Sequence, residues 1–230
     1  MAVSKAPRRT SLHWPEAWRI VPSRFPPRGV FDRIASPDDL EALFAIESLT
    51  NARLRQELGQ LDLVPKARRV SGPGTQPIMA AFTHLNPDGS RFSDGSYGVF
   101  YAARALETAV AETMYHRARF MAATREPAMK LEMRCYRTAI EGRLHDLRKG
   151  WPTMLHPTDY GPPQALAREL RAAGSDGVVY PSVRHAGGEC VGVFHPDLIK
   201  PCVQAQHLIY SWDGERLSAQ YAVATLHTAD

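Results

Sequence analysis

The chain has 230 residues, 44% of them hydrophobic, and a formal net charge of +4 with a pI near 9.1. That length and apolar share support a sizeable core without crosslinks. The positive excess is mild and no Lys/Arg run reaches block length, which argues against a nucleic-acid-binding protein.

Cys135, Cys190 and Cys202 are far apart and form no CxxC pair, a pattern that fits a reducing compartment better than a disulfide framework. No apolar run approaches the roughly 20 residues of a membrane span. No apolar segment follows Lys5, Arg8 and Arg9 as it would in a secretory signal. A cytoplasmic protein without a membrane segment is therefore expected.

In chain order, residues 1–13 read as a loose basic tail, and His13 to Ile20, with Trp14, Trp18 and Arg19, as the first ordered piece. Ser36-Pro37-Asp38-Asp39 is a helix start: a serine N-cap, proline in the first turn, then acids near the positive end. A helical insertion over 36–58 follows, stopped at Gly59. Leu61 to Val64 is a short piece before Pro65. Pro77 to His84 reads as a strand and Asn86-Pro87-Asp88-Gly89 as a turn.

Tyr97 to Ala103 is apolar and aromatic and suits a buried strand, with Gly98 marking a close approach of backbone or ligand. Arg104 to Phe120 switches to helical spacing. Leu106, Ala109, Val110, Thr113, Met114 and Arg117 fall on one stripe, and Glu112 lies off it, one turn before His116. Ala128 to Tyr136 alternates like a half-exposed strand, and 142–160 reads as irregular. Pro163 to Ala173 is a helix closed by Gly174. Residues 177–180 and 190–194 are short buried strands. Asp213-Gly214 is a two-residue hairpin signal between 207–212 and 216–223. No repeat or linker interrupts the chain, and one mixed α+β domain spanning 1–230 is expected.

Chemistry follows by elimination and then by pattern. Nine histidines form neither HExxH nor a paired-cysteine arrangement, so no metal site is expected. There is no GxSxG elbow and no P-loop. Gly72-x-Gly74 lacks the third glycine of a dinucleotide fingerprint. What stands out is Arg91, Tyr101 and Glu112 within one compact unit.

Arginine can hold phosphate by two parallel hydrogen bonds. A tyrosine ring can stack on a flat cationic heterocycle. A carboxylate can hydrogen-bond a ribose hydroxyl and stabilise a developing oxocarbenium ion. Those are the needs of an enzyme that breaks the nicotinamide–ribose bond of NAD+. Spacing equally accommodates Arg91 closing a loop, Tyr101 in the core and Glu112 paired with His116 or Arg119.

The ordered set Arg91-Phe92, Gly98-Val99-Phe100-Tyr101-Ala102 and Ala109 to His116 resembles the RES domain, named for its arginine, glutamate and serine. Ser182, in Asp176 to Arg184, matches the serine, and Trp18-Arg19-Ile20 is similar to the family's N-terminal aromatic–arginine element. The family commonly has glycine before the arginine and tryptophan after it, where this chain has Ser90 and Phe92.

The resemblance covers roughly 17–200. It implies an ADP-ribosyltransferase-like strand-rich core with flanking helices and NAD+ as substrate in a cleft, cleaved by hydrolysis or phosphorolysis, or with ADP-ribose transferred to a protein. It implies Arg91 and Arg19 on the diphosphate, Tyr101 against nicotinamide, Glu112 on the ribosyl cation and Ser182 near the nicotinamide ribose. It also implies a toxin whose partner is an Xre-like helix-turn-helix antitoxin that plugs the cleft. Arg104 and Arg184 suit an acidic or carboxylate-ended antitoxin segment. The 36–58 insertion fits either a cover for the cleft or a homodimer surface. The rival class is a binding module that holds a nucleotide or partner without turnover.

Overall fold

The computed structural model describes residues 6–23, 30–33, 36, 38 and 59–221. The 36–58 helical insertion therefore lies almost wholly outside the described residues. Seven strands form one mixed sheet: β1 (Arg9–Pro22), β2 (Phe100–Ala103), β3 (Met129–Asp146), β4 (Gly177–Pro181), β5 (Glu189–Val193), β6 (Val203–Trp212) and β7 (Leu217–Tyr221). Their order is β1-β2-β5-β4-β3-β6-β7, and β1 also pairs with β3. The first five strands thus close into a ring from which β6 and β7 extend. The closing β1–β2 contact is a single pair, Trp18 with Ala103. Around the sheet lie a single turn α1 (Val30–Arg33) and the helices α2 (Gln76–Thr83), α3 (Leu106–Thr124) and α4 (Gly161–Ala172). The fold is α+β. No described helix is long and apolar enough to cross a membrane.

Several boundaries differ from the sequence expectation. The strand expected over 77–84 is the helix α2. Thr75 stands at its N-cap, Pro77 sits in the first turn, and Ile78, Met79 and Phe82 bury one face. That 3.6-residue spacing and the tolerated early proline outweigh the apolar run. Strand β1 begins at Arg9, inside the segment expected to be loose, because Arg9 to His13 pair with His145 to Glu141 of β3. For the same reason β3 continues to Asp146, through residues expected to be irregular. The β6–β7 connection is a four-residue turn rather than a two-residue one. Trp212 pairs with Leu217, and Asp213 Oδ1 accepts the Glu215 and Arg216 N–H groups at 2.8 and 2.7 Å.

Gly98 does mark a close approach, and the neighbour is backbone. A Cβ there would lie 2.3 Å from the Ala81 carbonyl oxygen and 2.4 Å from Phe82 Cα. This glycine lets α2 seat directly on the segment leading into β2.

Two apolar clusters occupy the two faces of the sheet. One gathers Leu12, Trp14, Phe100, Ile140 and Leu144 with α2. The other gathers Ile20, Phe92, Cys135, Tyr180, Leu208 and Tyr210 with α3 and α4. Strand β1 serves both because its register shifts between Trp14 and Ala17. The bulge at Pro15-Glu16 reverses the alternation: Trp14 faces the first cluster, whereas Trp18 and Ile20 face the second. All three cysteines are buried and free.

Between β3 and β4, His145 is buried, with Nδ1 2.8 Å from Ser175 Oγ and Nε2 accepting from Arg9 Nε at 3.4 Å. The ring is therefore neutral, with its proton on Nδ1. Burial, and then Arg9, lower its pKa below the ordinary value of 6.5. The unfolded chain takes up this proton as pH falls through about 6.5 while the fold resists it, so stability is complete above that pH and declines below it. His116 and His195 are shifted the same way. Denaturant titrations should show lower stability at pH 5 than at pH 7.5, with a shallower slope in His145→Gln. An identical acid slope in that variant would exclude His145 as a source.

Candidate active site

The site is assembled where α3 meets the β4–β5 loop. Thr113 Oγ1 lies 2.7 Å from Tyr210 Oη, which fixes α3 on the sheet. One side of α3 carries Thr108 and Glu112, four residues apart and therefore stacked on one face. Both grip residues 182–188. Thr108 Oγ1 lies 2.9 Å from His185 Nδ1. Glu112 Oε1 accepts from Ser182 Oγ at 2.6 Å and from the Val183 N–H at 3.1 Å.

The loop conformation is set by Ser182 itself, whose Oγ accepts from the Arg184 and His185 N–H groups at 3.1 and 3.0 Å. With both N–H groups pointing at it, the hydroxyl directs its only hydrogen to Glu112. At Gly188 a Cβ would stand 2.6 Å from Thr108 Oγ1, so a glycine is what lets the loop return this close to the helix.

Glu112 is half-buried. Among the described residues it has no cation within ion-pairing distance, neither His116 nor Arg119. Oε1 holds two donors, and Oε2 has no protein partner there. The carboxylate is thus oriented by one oxygen and available through the other.

Arg91 is 7% exposed. Its Nη1 donates to the Met154 and His156 carbonyls at 3.1 and 2.8 Å, and its guanidinium lies 4.7 Å from the Tyr160 ring centroid. Among the described residues no carboxylate pairs with it.

Arg91 and Glu112 belong to one electrostatic neighbourhood. Burial lowers the His116 pKa although part of that residue faces solvent; Glu112 opposes the shift, and Arg184, Arg91 and Arg119 add to it. Tyr180 and Cys190 are buried core groups that feel both charges. Burial raises both pKa values, Glu112 raises them further, and Arg91 lowers them. Both groups are therefore neutral. Phe92, where the family commonly has tryptophan, meets the Tyr180 ring edge-on at 4.9 Å.

Tyr101 supports the arginine loop from below. Its hydroxyl accepts the Phe92 N–H at 2.8 Å and sits 2.8 Å from Ser90 Oγ. Burial raises its pKa, with those two hydrogen bonds opposing, so the phenol stays protonated. Ser90, a departure from the family pattern, thus supplies a hydroxyl to this network. Tyr101→Phe removes the partner of the Phe92 N–H. The expected cost is about 1–3 kcal/mol, read as a fall in Tm of about 2–4 °C per kcal/mol. An unchanged Tm would show that the hydroxyl is dispensable to the loop.

Arg19 stands apart. Its guanidinium lies 4.6 Å from the Phe100 ring centroid and Nη1 donates to the Tyr101 carbonyl at 3.1 Å. Phe100 and Tyr101 point to opposite faces of β2, so Arg19 lies across the strand from the Arg91–Glu112 group. Burial lowers its pKa, with Cys202 and Tyr136 among its neighbours.

The contribution of 154–160, through main-chain carbonyls and Tyr160, is not foreshadowed by the irregular reading of 142–160. Main-chain acceptors leave no trace in side-chain letters. The prolines at 152 and 157 were the available sign of a shaped loop. Thr108 was likewise legible only as a helix residue one turn before Glu112.

The candidate active site of this α+β protein thus consists of an arginine held by the carbonyls of 154 and 156 and a glutamate joined to a serine of the β4–β5 loop. A model of the RES domain matches residues 66–213, and the chain belongs to that family. The uncharacterized protein y4oC of Sinorhizobium fredii is 35% identical over 214 residues, covering 90% of this chain and 87% of that protein. Among solved structures, a chain of the M. tuberculosis MbcT–MbcA toxin–antitoxin complex aligns with 91% of this chain and 87% of its own length, at 12% identity and a TM-score of 0.44.

Proposed function

We propose that the protein is the toxin of a bacterial toxin–antitoxin pair and that it consumes NAD+ by breaking the nicotinamide–ribose bond. The observation that carries this reading is Glu112: a carboxylate oriented through one oxygen by Ser182 and Val183, in the same electrostatic neighbourhood as Arg91, which has no carboxylate partner among the described residues. Arg91 holds the diphosphate, and Tyr101 lies against the nicotinamide. Glu112 stabilises the ribosyl cation as the C–N bonding pair departs with the pyridine nitrogen, giving neutral nicotinamide. Ser182 keeps the carboxylate aimed.

The cation is then captured by water, which loses a proton to leave ADP-ribose, or by phosphate, which leaves the ribose 1-phosphate ester. A protein nucleophile at the same step would make the enzyme a mono-ADP-ribosyltransferase. The antitoxin partner follows from the family reading, as an Xre-type helix-turn-helix protein that closes the cleft.

Incubating the purified protein with NAD+ and following free nicotinamide tests the reading. Release with ADP-ribose or its phosphate ester supports it, and mass spectrometry of the products identifies the acceptor. Binding of NAD+ without any nicotinamide release would instead favour a binding module.

A further inference from the structure

We propose that Arg184 is the second guanidinium of the substrate site, sharing the diphosphate with Arg91, and that the carbonyls of residues 154–157 orient both. This rests on the NAD+ reading above and deepens it. A diphosphate carries two anionic groups, and a single forked guanidinium satisfies one of them well. The sequence resemblance points to Arg19 as the second cation, yet Arg19 lies against Phe100 on the far face of β2. Arg184 is in a different position.

Arg184 follows Ser182 by two residues, and its own N–H is part of the turn that fixes the serine. Its guanidinium carbon lies over the Tyr115 ring, 3.3 Å from the centroid, and Tyr115 sits on α3 three residues after Glu112. Its Nη2 donates to the Pro157 carbonyl. Arg91 is bound by the neighbouring Met154 and His156 carbonyls. One short segment therefore anchors both cations by one nitrogen each.

What remains is the informative part. Arg91 retains Nε and Nη2 without a protein acceptor among the described residues, and these two form the parallel fork that matches a phosphate. Arg184 Nε is buried and without a hydrogen-bond partner, as is the hydroxyl of Tyr160, whose ring carries Arg91. A buried donor left unsatisfied is costly, and an anion between the two arginines would satisfy it. Neither arginine has a carboxylate partner among the described residues, whereas nearby Arg104 and Arg148 are both bonded to Glu189. Arg91 and Arg184 thus differ from these two neighbours in keeping their charge without a carboxylate among the described residues.

The experiment measures ADP-ribose affinity by calorimetry for the wild type, Arg184→Gln and Arg184→Lys, with Tm as the check on folding. The expected loss is about 10-fold or more for Gln, with Lys intermediate because it keeps the charge and loses the fork. In turnover, KM for NAD+ rises more than kcat falls. If Arg184→Gln does not fold, Arg184→Met keeps the stem on Tyr115 and reads the same loss. A folded variant with wild-type affinity overturns the proposal, as does loss of affinity in Arg19→Gln alone. Wild-type protein that binds ADP-ribose in an Arg184-dependent way but releases no nicotinamide overturns the cleavage reading and leaves this one standing. Wild-type protein that releases nicotinamide but does not bind ADP-ribose overturns this proposal and leaves the cleavage reading standing.

Discussion

On the NAD+ reading proposed above, Glu112→Gln is expected to bring nicotinamide release down to background while the protein keeps its fold. The two side chains have the same shape, and an amide oxygen accepts the Ser182 hydroxyl and the Val183 N–H as Glu112 Oε1 does. The 182–188 loop therefore stays seated on α3, held as well by the Thr108–His185 contact. What disappears is the negative charge at the second oxygen, the position with no protein partner among the described residues. A cation developing at the ribose carbon loses the counter-charge aligned for it. Removal of one such preorganised group costs about 10²- to 10³-fold in kcat. The check is a pair of measurements on one preparation: nicotinamide release falls to background, and Tm remains within a few degrees of wild type. Undiminished release would remove the carboxylate from the chemistry and take the cleavage mechanism with it.

Arg91→Lys is the second large effect, despite the conserved charge. Lysine has no planar fork, so the parallel pair of N–H groups is lost. It also cannot reach both the Met154 and His156 carbonyls from one nitrogen while lying over the Tyr160 ring, as Arg91 does. Hydrogen bonds to a charged group contribute about 1.5–3 kcal/mol each. A rise in KM for NAD+ of about 10- to 100-fold is expected, with a lower Tm because segment 154–160 loses its anchor. Steady-state kinetics and a thermal melt read the two losses separately. Wild-type KM in a folded Arg91→Lys protein would show that Arg91 closes a loop and nothing more.

The parts of the site that came through in the sequence are those whose chemistry is written in short local patterns. Arg91, Tyr101 and Glu112 lie within 22 residues of one another, and the resemblance added Ser182. The α3 stripe was legible because helix period and side-chain polarity agree there. The α2 segment differs from the strand expected there because a short apolar run does not distinguish strand from helix, and Pro77 sits in the first turn, where a helix tolerates it. The extension of β3 to Asp146 was missed because its last residues are strand only by virtue of β1 lying alongside.

The sequence by itself determined the α+β class, the helix that carries Glu112, and the closeness of Arg91, Tyr101 and Glu112 along the chain, since each depends on periodicity or on functional groups close in the chain. The tertiary structure decided which of those groups meet. A bulge at Pro15-Glu16 reverses the facing of β1 and carries Arg19 to the opposite side of the sheet. The β4–β5 loop folds back onto α3 and brings Arg184 beside Tyr115, three residues beyond Glu112. Register and loop closure are non-local: they depend on which strands lie side by side, and no single segment specifies its neighbour.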